Sequence, residues 1–334
     1  MQRFLIPLDE GELTPDQTCL ALNAQADPVL RQLPGITCQQ TFRPDFNALE
    51  AAGHTAVTEA NGPFDAVLVR IGRHKDQNRL AIANAFLAAR PEGTIFVSGN
   101  KTDGIESLAK ELKRAGLSLA VRSKSHGKVF WLQRPAPLPD FHGDWLALGE
   151  MRPVEGGYQT TPAAFSSDGI DEGSRLLAGH FDPKLKGYAA DFGAGWGYLS
   201  HRLLAACPKI AQVEVIEAEA TALAAARANI KDTRAVFHWQ DVRDQPPRGV
   251  QYDLVVTNPP FHTGRQADHA LGAMFIERAA ASLRPKGRLL LVANRHLPYE
   301  TVLRARFRTV QSLEETPRFK VYSAMHPITT TRGR

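Results

Sequence analysis

The stretch Ala190–Leu204, ADFGAGWGYLSHRLL, compresses the end of a strand, a turn and the start of a helix into fifteen residues. An apolar run stops at Asp191-Phe192. Gly193, Ala194, Gly195, Trp196 and Gly197 make the turn, and a helix begins near Tyr198. Glycines let the backbone approach a ligand closely, and a helix N-terminus supplies unpaired N–H groups. A dinucleotide fingerprint, G-x-G-x-x-G, would need glycine where Tyr198 stands, so a nicotinamide cofactor fits poorly. A glycine-rich turn can also exist without a ligand, so its meaning depends on the segments around it.

Those segments alternate. Lys186–Gly195, Ile210–Glu219, Val250–Pro260 and Gly287–Asn294 read as strands, and Gly197–Cys207, Glu219–Lys231 and Gly272–Leu283 as helices. This order predicts a parallel sheet covered by helices on both faces, with ligands at the carboxyl ends of the strands. The first half repeats the plan. FDAVLVRIGRHKD (Phe64–Asp76) and FLAARPEGTIFVSGNK (Phe86–Lys101) match YDLVVTNPPFHTG (Tyr252–Gly264) and RAAASLRPKGRLLLVANR (Arg278–Arg295). Each is strand, loop, helix, an Arg-Pro-x-Gly turn and strand. A match of this length argues for duplication of a whole domain. Prolines concentrate in RPAPLPDFHGDW (Arg134–Trp145), which reads as a linker. The expected architecture is α/β, with two tandem Rossmann-like domains of mostly parallel sheets, over residues 1–140 and 150–334.

Composition is that of a globular protein: 334 residues, 43% hydrophobic and 22% charged. No apolar run approaches the roughly 20 residues that span a bilayer, and MQRFLIPLDEGE turns acidic too early for a secretory signal. Cys19, Cys38 and Cys207 lie too far apart to suggest a disulfide framework or a metal cluster. The expected setting is the reducing cytoplasm, without membrane or metal. The net charge of +5 is uneven: basic residues crowd Lys110–Arg134 and Arg284–Arg334. Such clusters suit a phosphate-rich partner, or simply a solvated face.

Two further strand tips carry chemistry. Glu217 closes the second strand, and its two oxygens match the two O–H donors of a ribose. Glu219 is a nearby competitor, but it falls at the following helix start. At the fourth strand tip stands Asn258-Pro259-Pro260-Phe261. Packing alone asks for no such order. An exocyclic NH2 on a ring is a poor nucleophile, and the Asn258 amide oxygen and the Pro259 carbonyl can accept its two hydrogens. That orients the nitrogen lone pair and stabilises the charge growing on nitrogen. Prolines fix φ and donate nothing, so the acceptors stay aimed. Phe261 can stack on a flat base. No strong general base is needed, because the proton leaves a nitrogen that has become cationic.

Asp191-x-Gly193-x-Gly195-x-Gly197 resembles the nucleotide loop of class I S-adenosylmethionine methyltransferases. The resemblance implies that Asp191 interacts with the amino acid end of the cofactor, that Gly193, Ala194, Gly195 and Gly197 cradle it, that Asp241 after the third strand meets the adenine amine, and that Asn258 borders both cofactor and substrate. NPPF resembles the N/D-P-P-Y/F motif of enzymes that methylate planar amines. With FSSDGIDEGSRLL (Phe165–Leu177), VANRHLPYE (Val292–Glu300) and RFKVYSA (Arg318–Ala324), the second half is similar to the ribosomal small-subunit methyltransferase C family. That family makes N2-methylguanosine in 16S rRNA and carries a degenerate N-terminal methyltransferase-like domain. The resemblance implies a monomeric enzyme acting on 16S rRNA or the small subunit. His262 is typical of the guanine-N2 group, large-subunit enzymes included. The loop departs from relatives at Phe192 and Trp196, the latter expected at the cofactor entrance. In the first half Arg70 aligns with Asn258, Gly72 with Pro260 and Arg73 with Phe261. Arginine cannot accept a hydrogen bond, so Arg70, Arg73, His74 and Lys75 are candidates for RNA phosphates instead. Other readings of NPPF are a protein glutamine methyltransferase, a DNA adenine-N6 methyltransferase without an evident target-recognition region, and a non-catalytic RNA-binding assembly factor.

Overall fold

The computed structural model describes residues 2–161, 166–244, 251–260 and 267–328. They form two units, Met1–Glu150 and Met151–Arg334.

The first unit contains strands β1 (Cys19–Leu22), β2 (Thr37–Gln39), β3 (Thr55–Val57), β4 (Phe64–Arg70), β5 (Ala89–Asn100), β6 (Ala120–Lys124) and β7 (Gly127–Gln133). Their order is β3-β2-β1-β4-β5-β7-β6, parallel except at β5-β7 and β7-β6. Its helices are α1 (Leu5–Asp9), α2 (Arg43–Ala51), α3 (Lys75–Ala88), α4 (Ile105–Arg114) and α5 (His142–Ala147).

The second unit begins with the short ribbon β8 (Arg152–Pro153) and β9 (Gln159–Thr160) and helix α6 (Glu172–Ala178). Then come β10 (Lys186–Phe192), α7 (Tyr198–Ala206), β11 (Lys209–Glu217), α8 (Ala220–Asn229), β12 (Ala235–Trp239), β13 (Tyr252–Thr257), α9 (Ala267–Ser282), β14 (Leu283–Asn294), α10 (Tyr299–Arg306), β15 (Phe307–Glu315) and β16 (Phe319–Pro327). The order β12-β11-β10-β13-β14-β16-β15 is the first unit's order restated, again antiparallel only at the last two pairings.

Both faces of the central strands β10, β11, β13 and β14 are buried, which is why these strands read as near-continuous apolar runs. Leu254 and Val256 face a core with α7 and α8, while Val255 faces one with α9 and α10. Duplication extends to detail. The Asp65 carboxylate meets Arg90 at 2.8 Å, and Asp253 meets Arg284 at the same distance. These arginines open the Arg-Pro-x-Gly segments. The expected separate turn is absent: each segment is folded into a long strand, β5 or β14, as a register break against β4 or β13. Gly93 and Gly287 are needed there, since a Cβ would come within 2.9 Å of the carbonyl of Arg90 or Arg284.

The stretch expected to be a linker carries α5. Trp145 is buried in the first unit's core and packs on Phe141 with ring centroids 4.2 Å apart, and His142 Nε2 lies 3.1 Å from the Ala83 carbonyl. Aromatic burial on α3 outweighs the prolines, so the first unit runs to Glu150 instead of ending at residue 140. The three cysteines are buried and free. Among the described residues no helix is long and apolar enough to cross a membrane, and no group of His, Cys, Asp or Glu is placed to hold a metal.

Candidate active site

The site is built on adjacent strand tips. Thr257 Oγ1 donates to the Phe192 carbonyl at 2.8 Å, which locks the tip of β13 to that of β10. The loop after β10 is then fastened to β11. The N–H groups of Gly193 and Ala194 both donate to the Ile216 carbonyl, at 2.9 and 3.0 Å. The Gly195 N–H donates to Glu217 Oε2 at 2.7 Å.

The glycines differ in purpose. All three have positive φ. A Cβ on Gly197 would lie 2.8 Å from Ile230 and 3.0 Å from Ala226, so this glycine lets α7 pack on α8. A Cβ on Gly195 would meet nothing within 4 Å. Its backbone borders open space, as a ligand cradle requires. Gly193, Ala194 and Gly195 line a pocket together with Asp171, Ser174 and Asn258.

Asp191 is fully buried behind the loop. Its Oδ2 accepts the Ser200 N–H at 3.0 Å and the Ser200 hydroxyl at 2.7 Å, while Oδ1 has no partner. Burial pushes its carboxyl up to about 7, against the pull of the Ser200 hydrogen bonds and with a smaller push from Glu217. A buried acceptor without a donor costs about 1–3 kcal/mol. Retaining one beside a cradle fits a group that brings a donor or a positive charge.

Glu217 is likewise raised by burial. Its Oε1 accepts the Glu219 N–H at 2.8 Å and Ala218 supplies a further backbone donor, so the carboxylate is held from several sides and still has acceptor capacity for a ribose hydroxyl. Glu219, the competitor, is the N-cap of α8, accepting from the Thr221 N–H and hydroxyl. Asp241 is nearly buried, and its carboxylate is already held by the Arg243 backbone N–H at 2.9 Å and guanidinium at 2.6 Å. Trp196 also lines the pocket, but its ring is only 4% exposed and packs 5.1 Å from that of Tyr158. Its bulk is absorbed largely by the core, not by the entrance.

Asn258 is 9% exposed. Its Nδ2 donates to Asp171 Oδ2 at 2.8 Å and to Ser174 Oγ at 2.9 Å, and its Oδ1 has no partner. Pro259 is buried and Pro260 half-buried behind it. Phe261 and His262 lie outside the described residues. Asp171 and Ser174 were missed by sequence reasoning. Their signal, an Asp three residues before a Ser ahead of an apolar run, is that of an ordinary helix cap.

The basic stretches are less basic in space than in sequence. Arg122 pairs with Glu10, Lys128 with Glu106, Arg295 with Glu315, Arg306 with Glu277 and Arg318 with Glu172. Arg73, His74 and Lys75 are exposed where β4 leads into α3, and Arg70 occupies the register position of Asn258.

The model of the methyltransferase small domain family matches residues 156–323. Ribosomal RNA small subunit methyltransferase C of Shewanella pealeana is 29% identical over 338 residues, covering 95% of this chain and 96% of its own. The protein of the same name from Pseudomonas paraeruginosa is 32% identical over 279 residues, 80% of each chain. The solved structure of the T. thermophilus 16S rRNA N2 G1207 methyltransferase, in complex with AdoMet and guanosine, has a TM-score of 0.77 at 26% identity and covers 94% of this chain and 89% of that one. Because such matches run through both units and not through the second alone, the chain belongs to the ribosomal RNA small subunit methyltransferase C family.

Proposed function

We propose that this protein methylates the exocyclic N2 amine of a guanine in 16S rRNA, using S-adenosylmethionine. The observation that carries the chemistry is the Asn258 amide: its nitrogen is engaged twice, and its oxygen is buried and without a partner in a residue that lines the pocket. An unpartnered acceptor matches an N–H donor that is also the nucleophile.

When bound, S-adenosylmethionine supplies an electrophilic methyl group. Asn258 Oδ1 and the Pro259 carbonyl take the two amine hydrogens and turn the nitrogen lone pair toward the pocket. As the bond forms, positive charge grows on nitrogen, and these oxygens stabilise it more in the transition state than in the ground state. Phe261 stacks on the base. Gly193, Ala194 and Gly195 form the cradle, with Gly197 seating α7 behind it, Asp191 draws the amino acid end, Glu217 the ribose and Asp241 the adenine amine through its remaining lone pairs. Glu217→Ala is expected to weaken cofactor binding at least tenfold, about 1.4 kcal/mol. An unchanged calorimetric affinity would take the ribose role away from Glu217.

The first unit keeps the sheet but not the chemistry, since Arg70 cannot accept from an amine. Its exposed Arg73 and Lys75 suit RNA phosphates, and its role is contact and support. The protein works as a monomer in the cytoplasm. Because guanine N2 lies on the minor-groove edge of a paired base, the base must be drawn from its stack, at a few kcal/mol.

Labelled cofactor offered in parallel to small subunits, naked rRNA and a protein extract tests the assignment. Label is expected on one guanine of 16S rRNA, with a rate that falls steeply with salt. Label on a protein glutamine, with rRNA untouched, would overturn the substrate and leave the cofactor site standing.

A further inference from the structure

We propose that Asp171 and Ser174 are positioning residues for methyl transfer: they decide which end of the Asn258 amide faces the substrate. The inference rests on the methylation of an amine at Asn258.

An amide side chain offers an acceptor at one end and two donors at the other, in nearly the same shape. Its last torsion is broad and roughly two-fold. Left to itself, Asn258 could turn NH2 toward the pocket, where it would oppose an incoming amine. The neighbours prevent this. A carboxylate only accepts, so the Asn258 atom 2.8 Å from Asp171 Oδ2 must be nitrogen. Rotating the amide would press two oxygens together. Ser174 Oγ, 2.9 Å away, takes the other hydrogen.

The clamp is itself held. Asp171 is the N-cap of α6, and the same Oδ2 accepts the Ser174 N–H at 2.7 Å. A cap alone is worth about 1 kcal/mol and needs no contact with a strand tip 87 residues away. Gly173 sits between the two clamping residues, where a Cβ would lie 3.0 Å from Phe319 and 3.1 Å from Asp171 Oδ2. A larger residue there would push on the carboxylate. A negative charge behind the amide nitrogen also polarises the group and leaves its oxygen a stronger acceptor.

Two readouts test this. The first is independent of turnover: in the 15N-labelled protein, the Asn258 side-chain NH2 resonances should exchange slowly with solvent, and Asp171→Ala should remove that protection. The second is a double-mutant cycle in single-turnover methylation of small subunits. Asp171→Ala should slow methyl transfer about 10- to 100-fold, the equivalent of one hydrogen bond to a charged group, with cofactor affinity changed by less than threefold. Asp171→Asn, which keeps both the cap and an accepting oxygen, should restore much of the rate. In an Asn258→Ala background Asp171→Ala should cost nothing further. If Asp171→Ala fails to fold, Asp171→Ser preserves the cap and replaces it in the cycle. Additive effects, or a loss of cofactor affinity matching the loss of rate, would reduce Asp171 to a structural cap. Wild-type protein that leaves 16S rRNA unlabelled would instead remove the substrate assignment, with the resonance test still deciding whether the clamp exists.

Discussion

Asn258→Ala should lower kcat by about 100- to 1,000-fold, the usual worth of one preorganised acceptor of this kind. Cofactor affinity should stay within about threefold, because the pocket's glycine cradle, Asp191 and Glu217 are untouched. The variant removes a buried group whose oxygen has no partner in the free protein, so stability should not fall greatly. It also leaves Asp171 and Ser174 without the amide they accept from, and water can take its place at this open pocket. A variant retaining more than about a tenth of wild-type kcat would move amine activation elsewhere.

The second large effect is expected at Asp191. Its carboxyl has an ordinary value near 3.8 and is raised to about 7 in the fold. Between these values the folded state holds a proton that the unfolded chain has released. The contribution of this group to stability is therefore most favourable at and below about pH 4, declines as pH rises toward 7 and is level above that. Each pKa unit corresponds to about 1.4 kcal/mol, so the ionised group costs the free protein a few kcal/mol at neutral pH. Asp191→Asn removes that cost. Thermal unfolding at pH 8 should shift upward by several degrees, at about 2–4 °C per kcal/mol for a unit of this size. The same variant should lose at least tenfold in cofactor affinity, because a neutral amide cannot hold the ammonium of the amino acid end. Wild-type affinity should weaken as pH falls from 8 to 6, and the Asn variant should show no such slope. Calorimetry across that range, with unfolding scans on both proteins, measures both halves. A destabilised Asn variant, or a wild-type affinity flat in pH, would count against a strained carboxylate serving the ligand.

Much of this was legible because the signals are local. The loop Gly193–Gly197 sits between an apolar run and a helix start, Glu217 ends β11, and Asn258 directly follows β13, each where an apolar run stops. Asp171 and Ser174 were not legible in the same way. They lie 87 and 84 residues from Asn258, and only the packed sheet brings α6 over the tip of β13. The final hairpin hid for another reason. Along β15, Phe307 is its buried residue and most of the rest face water, so the strand has little apolar pattern to find. Trp145 turned an apparent linker into core, which composition alone could not foresee.

The twin sheets imply a division of labour that a single domain could not reach. Of the six buried polar atoms without partners among the described residues, five belong to the second unit. Such unmet polar groups weaken a fold, so the second unit carries more of this cost than the first. Two of them, on Asp191 and Asn258, stand at the tips of the adjacent strands β10 and β13, where a ligand's donors can offset the cost. At the register of Asn258 the first unit has Arg70, a donor that leaves no such acceptor behind.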